Sequence, residues 1–129
     1  MALITGAASG IGRAAALRLA ADGLRTSCFD LDAAGVAETV DAVVGAGGEA
    51  LAIEGSVTDE VAAKNAVAAT IDHFGSLDVL VNVAGIGHYS HADTETLEAW
   101  NRTIEVNLTG MFLMCRSACR NSWSAVAPS

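Results

Sequence analysis

Thr5-Gly6-Ala7-Ala8-Ser9-Gly10-Ile11-Gly12 lies between a short apolar run, Ala2-Leu3-Ile4, and the helical pattern Arg13-Ala14-Ala15-Ala16-Leu17-Arg18-Leu19-Ala20. A strand that turns through glycines into a helix N-terminus suits a phosphate group. Glycines let the backbone come close to the anion, and the unpaired N–H groups and the positive end of the helix dipole face it. A glycine triplet alone is weak evidence. It becomes strong between a strand and a helix when an acidic residue follows at about twenty residues. Asp30 meets that requirement at the end of Leu24-Arg25-Thr26-Ser27-Cys28-Phe29-Asp30, which reads as the second strand. The chemistry implied is capture of a dinucleotide.

Outward from this turn, β-like runs alternate with helical patterns, which predicts βαβ units and a parallel sheet. Asp32 is placed to cap a helix from Ala33 to about Ala46 that stops at Gly47-Gly48. Ala50-Leu51-Ala52-Ile53 is the third strand. Thr58, with Asp59 and Glu60 in the first turn, starts a third helix ending near Phe74 and Gly75. Leu77-Asp78-Val79-Leu80-Val81-Asn82 reads as a fourth strand covered on both faces. Thr96 caps a long helical region whose stripe Leu97, Trp100, Ile104, Leu108, Met111, Cys115, Ala118 steps by three and four. Met111, Phe112 and Met114 read as core or subunit contacts. The expected fold is α/β, a parallel sheet of about four strands with flanking helices.

Composition narrows the function. In 129 residues, 52% are apolar and 17% charged, so the chain is one globular domain at most. A net charge of −8 argues against a nucleic-acid or anionic-membrane partner. No apolar run is long enough for a bilayer, and no signal core follows Met1, which predicts a cytoplasmic protein. Cys28, Cys115 and Cys119 lack metal-ligand spacing, and His73, His88 and His91 have no thiol or carboxylate cluster beside them, so no metal site is expected.

Together, Thr5-Gly6-x-x-x-Gly10-Ile11-Gly12, Asp30, Asn82-Val83-Ala84-Gly85 and Val106-Asn107-Leu108-Thr109-Gly110 resemble the short-chain dehydrogenase/reductases from residue 2 to about 118. The resemblance implies a partial doubly wound Rossmann-type parallel sheet, strand order 3-2-1-4, that binds a nicotinamide dinucleotide across its strand C-termini. It implies that Gly6, Ser9, Gly10, Ile11 and Gly12 surround the pyrophosphate and that Asp30, with Leu31 beside it, holds the adenosine ribose. It places Val57 beside adenine, and Asn82, Ala84 and Gly85 along the path to the nicotinamide. Asn107 would be the catalytic-relay asparagine that anchors a water. The bland alternative for Asn82 and Asn107 is an amide that satisfies backbone groups. The implied cofactor is NAD rather than NADP, because Asp30 would repel a 2′-phosphate. The implied substrate is a small alcohol or carbonyl compound, and the implied parent is a homo-oligomer.

Three departures stand against the family pattern. Ser56 and Val83 occupy positions where the family often has aspartate and asparagine. The third concerns chemistry: a tyrosine transfers the hydroxyl proton in this family, helped by a lysine four residues later. Here the one tyrosine, Tyr89, is followed at that distance by Asp93, and the one lysine, Lys64, precedes it. Tyr89 therefore reads as a substrate-side or packing residue. The expectation is an incomplete dinucleotide-binding domain over 1–118, without dehydrogenase turnover of its own and prone to self-association. A non-catalytic dinucleotide-binding module and an inactive truncated product are the alternatives. Residues 119–129 lose periodicity and read as an irregular tail. GC-rich back-translation with one base restored turns them into Leu-Pro-Glu-Leu-Val-Val-Gly-Gly-Gly-Ala-Ile, so the tail is expected to be a frameshift.

Overall fold

A computed structural model describes the backbone of residues 1–124 and the side chains through residue 121. Four parallel strands alternate with helices: β1 (Ala2–Thr5), α1 (Gly10–Ala21), β2 (Thr26–Asp30), α2 (Ala33–Gly45), β3 (Ala50–Glu54), α3 (Glu60–Phe74) and β4 (Val79–Val81). After a long loop come α4 (Leu97–Ile104), a π-helical turn (Glu105–Thr109) and α5 (Gly110–Ser124). The sheet order is β3-β2-β1-β4, with Ile4 opposite both Cys28 and Val81.

Strand alternation divides the interior into two layers. Ala2, Ile4 and Cys28 face the α1 and α2 side, where Ala16 and Val36 close over them. Leu3 and Phe29 face the other way, against Ala63, Ala66 and Val67 of α3 and Leu113 and Met114 of α5. Small residues in α1 let that helix lie close to the sheet. An ion-pair cluster joins α3 to α5: Glu60 takes Lys64 at 2.9 Å and Arg116 at 2.8 Å.

Four sequence expectations need correction. Asp59, not Thr58, caps α3, its Oδ1 accepting from the N–H groups of Val61 and Ala62. The Thr58 hydroxyl is turned to Ser56 instead, 2.8 Å away. The fourth strand is three residues long and half-exposed rather than covered on both faces, because β4 is the edge of the sheet. The expected apolar stripe on the last helical region is not the buried one. Val106, Gly110, Leu113, Met114 and Ser117 face the core instead, and α4 ahead of the π turn buries no residue. Leu97, Trp100, Leu108 and Met111 of the stripe are exposed, as is Phe112. Last, the segment read as irregular from 119 onward continues α5 as far as Ser124. No glycine or proline interrupts that stretch, and Asn121 Nδ2 donates back to the Ser117 carbonyl at 3.0 Å. The rest of the segment lies outside the described residues.

Candidate functional site

The C-terminal ends of β1, β2 and β3 and the loop after β4 open into one cleft of about 380 Å³. Its floor is the turn between β1 and α1. Gly6 has φ +67°, and a Cβ there would come 2.8 Å from the Ala84 amide nitrogen, so only glycine lets the two loops approach. Behind it, a Cβ on Gly12 would lie 2.0 Å from the Gly6 carbonyl oxygen. Thr5 locks the same junction. Its buried hydroxyl oxygen accepts from the N–H groups of Val83 at 3.0 Å and Ala84 at 3.1 Å.

The helix that opens on the cleft differs from its neighbours. Asp32, Asp59 and Thr96 cap α2, α3 and α4 with their own side chains. Ser9, at the N-cap of α1, gives no side-chain hydrogen bond to its helix. The first-turn N–H groups of α1 are thus left to an external acceptor, at the positive end of the helix dipole. Beside the turn, at the end of β2, stands Asp30. One carboxylate oxygen accepts from Ala8 N and the other from Asp32 N, each at 3.1 Å, which holds the group at the cleft edge. Each oxygen retains capacity for a further donor.

Of the residues expected at the site, Gly6, Ser9, Gly10, Ile11, Asp30, Leu31, Val57, Ala84 and Gly85 line this cleft. Ile11 and Leu31 are exposed apolar side chains at its lips. Gly12, Asn82 and Asn107 stand outside the lining. Gly12 packs behind the turn. Asn82 donates from Nδ2 to Cys115 Sγ at 3.3 Å. Asn107 clasps the peptide of Ile86, accepting from its N–H at 2.7 Å and donating to its carbonyl at 2.8 Å. Both ends of the amide thus engage backbone, as in the bland alternative, and the clasp fixes the loop that walls the cleft beyond Gly85. Among the described residues Tyr89 is fully exposed; His88, one residue before it, pairs with Glu95 at 2.6 Å.

Sequence reasoning missed four contributors. Thr39 of α2 reaches the Ala7 carbonyl at 2.8 Å and steadies the glycine turn. Phe29 backs the cleft beneath Gly55, where a Cβ would meet its ring at 2.6 Å. Arg102 and Val106, one turn apart on the α4 side, complete the wall opposite Leu31. Their spacing of four was the available signal, but the apolar stripe drew attention to a different face.

A parallel α/β sheet with a glycine-lined cleft across its strand ends, an uncapped helix and an acidic residue at the end of β2 defines a nucleotide-binding class. The chain belongs to the short chain dehydrogenase family, which it matches over residues 1–125. It is 42% identical over 118 residues to a 2,5-dichloro-2,5-cyclohexadiene-1,4-diol dehydrogenase of Sphingobium indicum, covering 92% of this chain and 47% of that one. It is 38% identical over 117 residues to 3beta-hydroxysteroid dehydrogenase 1 of Eggerthella lenta, covering 90% and 45%. The crystal structure of a 3-ketoacyl-ACP reductase from Sinorhizobium meliloti superposes with a TM-score of 0.88 at 46% identity, covering 92% of this chain and 47% of that one. The chain spans about half the length of the curated relatives it matches. Among the described residues no helix is long and apolar enough to cross a membrane.

Proposed function

We propose that this chain is the cofactor-binding portion of an NAD-dependent oxidoreductase that exchanges a hydride between nicotinamide and a small alcohol or carbonyl substrate. The observation that carries the reading is the pairing of an uncapped α1 N-terminus with a carboxylate held beside it at the end of β2, both lining the same cleft. In this reading the α1 turn takes the pyrophosphate and Asp30 accepts from the ribose hydroxyls. Ala84 and Gly85 leave room along the path to the nicotinamide, which supplies the hydride chemistry when bound. Asn107 acts by holding the Ile86 peptide.

NAD is preferred over NADP because a 2′-phosphate beside Asp30 would meet a like charge, worth about 1 to 4 kcal/mol at 4 Å between water-like and surface dielectrics. The two arginines nearest in sequence do not offset this. Arg13 pairs with Glu38 at 3.3 Å, and Arg25 lies over the Phe74 ring. These 129 residues carry no Tyr-x-x-x-Lys pair, so proton transfer to the substrate falls to residues outside them, and this chain alone is catalytically incompetent. A cytoplasmic, homo-oligomeric parent belongs to the same proposal. Calorimetric titration with NAD and NADP tests it. NAD should bind more tightly, and Asp30→Ala should narrow the gap; tighter binding of NADP by the unaltered chain refutes the assignment.

A further inference from the structure

We propose that Arg102 binds the adenine ring of the dinucleotide, laying its guanidinium against the base from the α4 side of the cleft. The inference rests on the cofactor reading above and deepens it. With the pyrophosphate on the α1 turn and the ribose on Asp30, the base falls among Leu31, Ser56, Val57, Val106 and Arg102. Three of these are aliphatic and provide a surface without direction. Ser56 is occupied within its own turn, its hydroxyl 2.8 Å from Thr58 Oγ1 and accepting from Thr58 N at 3.2 Å. Arg102 is the one cation that lines the cleft among the described residues.

Five other basic side chains are committed elsewhere: Arg18 to Asp22, Lys64 and Arg116 to Glu60, and Arg13 and Arg25 as above; Arg120, near the end of α5, does not line the cleft. Arg102 pairs with Glu105 at 3.8 Å, with both side chains more than half exposed. So long and solvated a pair holds its partners weakly, and the guanidinium can turn into the cleft at little cost. The spacing of four places it one turn above Val106, which is buried at the base of the wall. A purine resting on Val57 and Val106 would present its outer face and its ring-nitrogen acceptors to that plane. A guanidinium satisfies both demands, stacking on the π face and donating in plane.

The test measures affinities of the chain, of Arg102→Leu and of Arg102→Lys for NAD, NADP, AMP and inorganic pyrophosphate by calorimetry. Arg102→Leu should weaken NAD and AMP alike by about five- to tenfold, while pyrophosphate binding stays unchanged. Arg102→Lys, which keeps the charge and loses the plane, should also weaken both. Should the leucine variant lose helicity, the lysine variant decides the point alone. Unchanged NAD and AMP affinities overturn the proposal. So does an equal loss for pyrophosphate, which would mean long-range attraction only, and so does a loss confined to NADP, which would assign Arg102 to the 2′-phosphate. An unaltered chain that binds none of the nucleotides overturns the cofactor reading itself, a result distinct from tight NAD binding that ignores Arg102.

Discussion

Replacing Thr5 with valine should destabilise this domain out of proportion to the size of the change. Valine matches threonine in shape, so no cavity opens at this fully buried position at the end of β1. What disappears is the single oxygen that accepts from both Val83 N and Ala84 N. Each N–H left without a partner costs about 1 to 3 kcal/mol. Val83 and Ala84 are only partly buried, so water recovers some of this, and the sum is about 2 to 4 kcal/mol. That is a large share of a typical domain's stability, about 5 to 15 kcal/mol. With urea slopes of about 1 to 3 kcal/mol per molar, the unfolding midpoint should fall by about 1 to 2 M. Thr5→Ser supplies the control. It keeps the acceptor and gives up one methyl group, about 1 kcal/mol. The same junction holds Ala84 against the glycine turn, so NAD affinity should fall with Thr5→Val and hold with Thr5→Ser. A Thr5→Val midpoint equal to that of the unaltered chain, or a serine variant less stable than the valine one, refutes the reasoning.

Burial pushes the Cys28 thiol up to about 11 from an ordinary 9.0. Iodoacetamide at pH 8 should therefore label the exposed Cys115 and Cys119 of the folded chain and spare Cys28, which peptide mass mapping reads directly. Because the folded value is the raised one, the stability contribution of Cys28 is intact below about pH 9 and is lost as pH rises through about 11; Cys28→Ala should remove that alkaline dependence from a pH series of melts. The exposed face of α4, the π turn and α5, with Trp100 and Leu108 58% and 61% exposed, should drive concentration-dependent self-association. Sedimentation velocity should find less of it in Trp100→Glu/Leu108→Glu, and a monodisperse monomer for the unaltered chain at high concentration refutes the idea. No NADH should form when this chain is mixed with NAD and a panel of secondary alcohols; turnover at about 1 to 10³ per second would mean the proton-transfer group has been misplaced.

Much of this protein was legible in its sequence because the signals are local. The glycine turn, Asp30 and the alternation of apolar runs with helical patterns depend on backbone freedom, residue type and period. These specify β1, α1 and β2 and the glycine turn of the cleft, while the strand order and the rest of the expected lining follow from the family resemblance. The likeness to short-chain dehydrogenases was likewise carried by short motifs, each readable from a few neighbouring residues. Tertiary structure decided what depends on partners far apart in the chain. Thr5 is one residue of a motif until its hydroxyl is seen bridging to residues 83 and 84, and Thr39 carries no signal until α2 lies beside the Ala7 carbonyl. Periodicity placed the buried face of the last helices on the wrong stripe, because an apolar period does not show which side other elements cover: Leu113 and Met114 pack into the core beside α3, while α4 buries no residue. Arg102 carries no signal in the sequence beyond its spacing from Val106: only the fold brings it to the cleft beside Val106 and Val57, where Gly110 of α5 sits close on Val57.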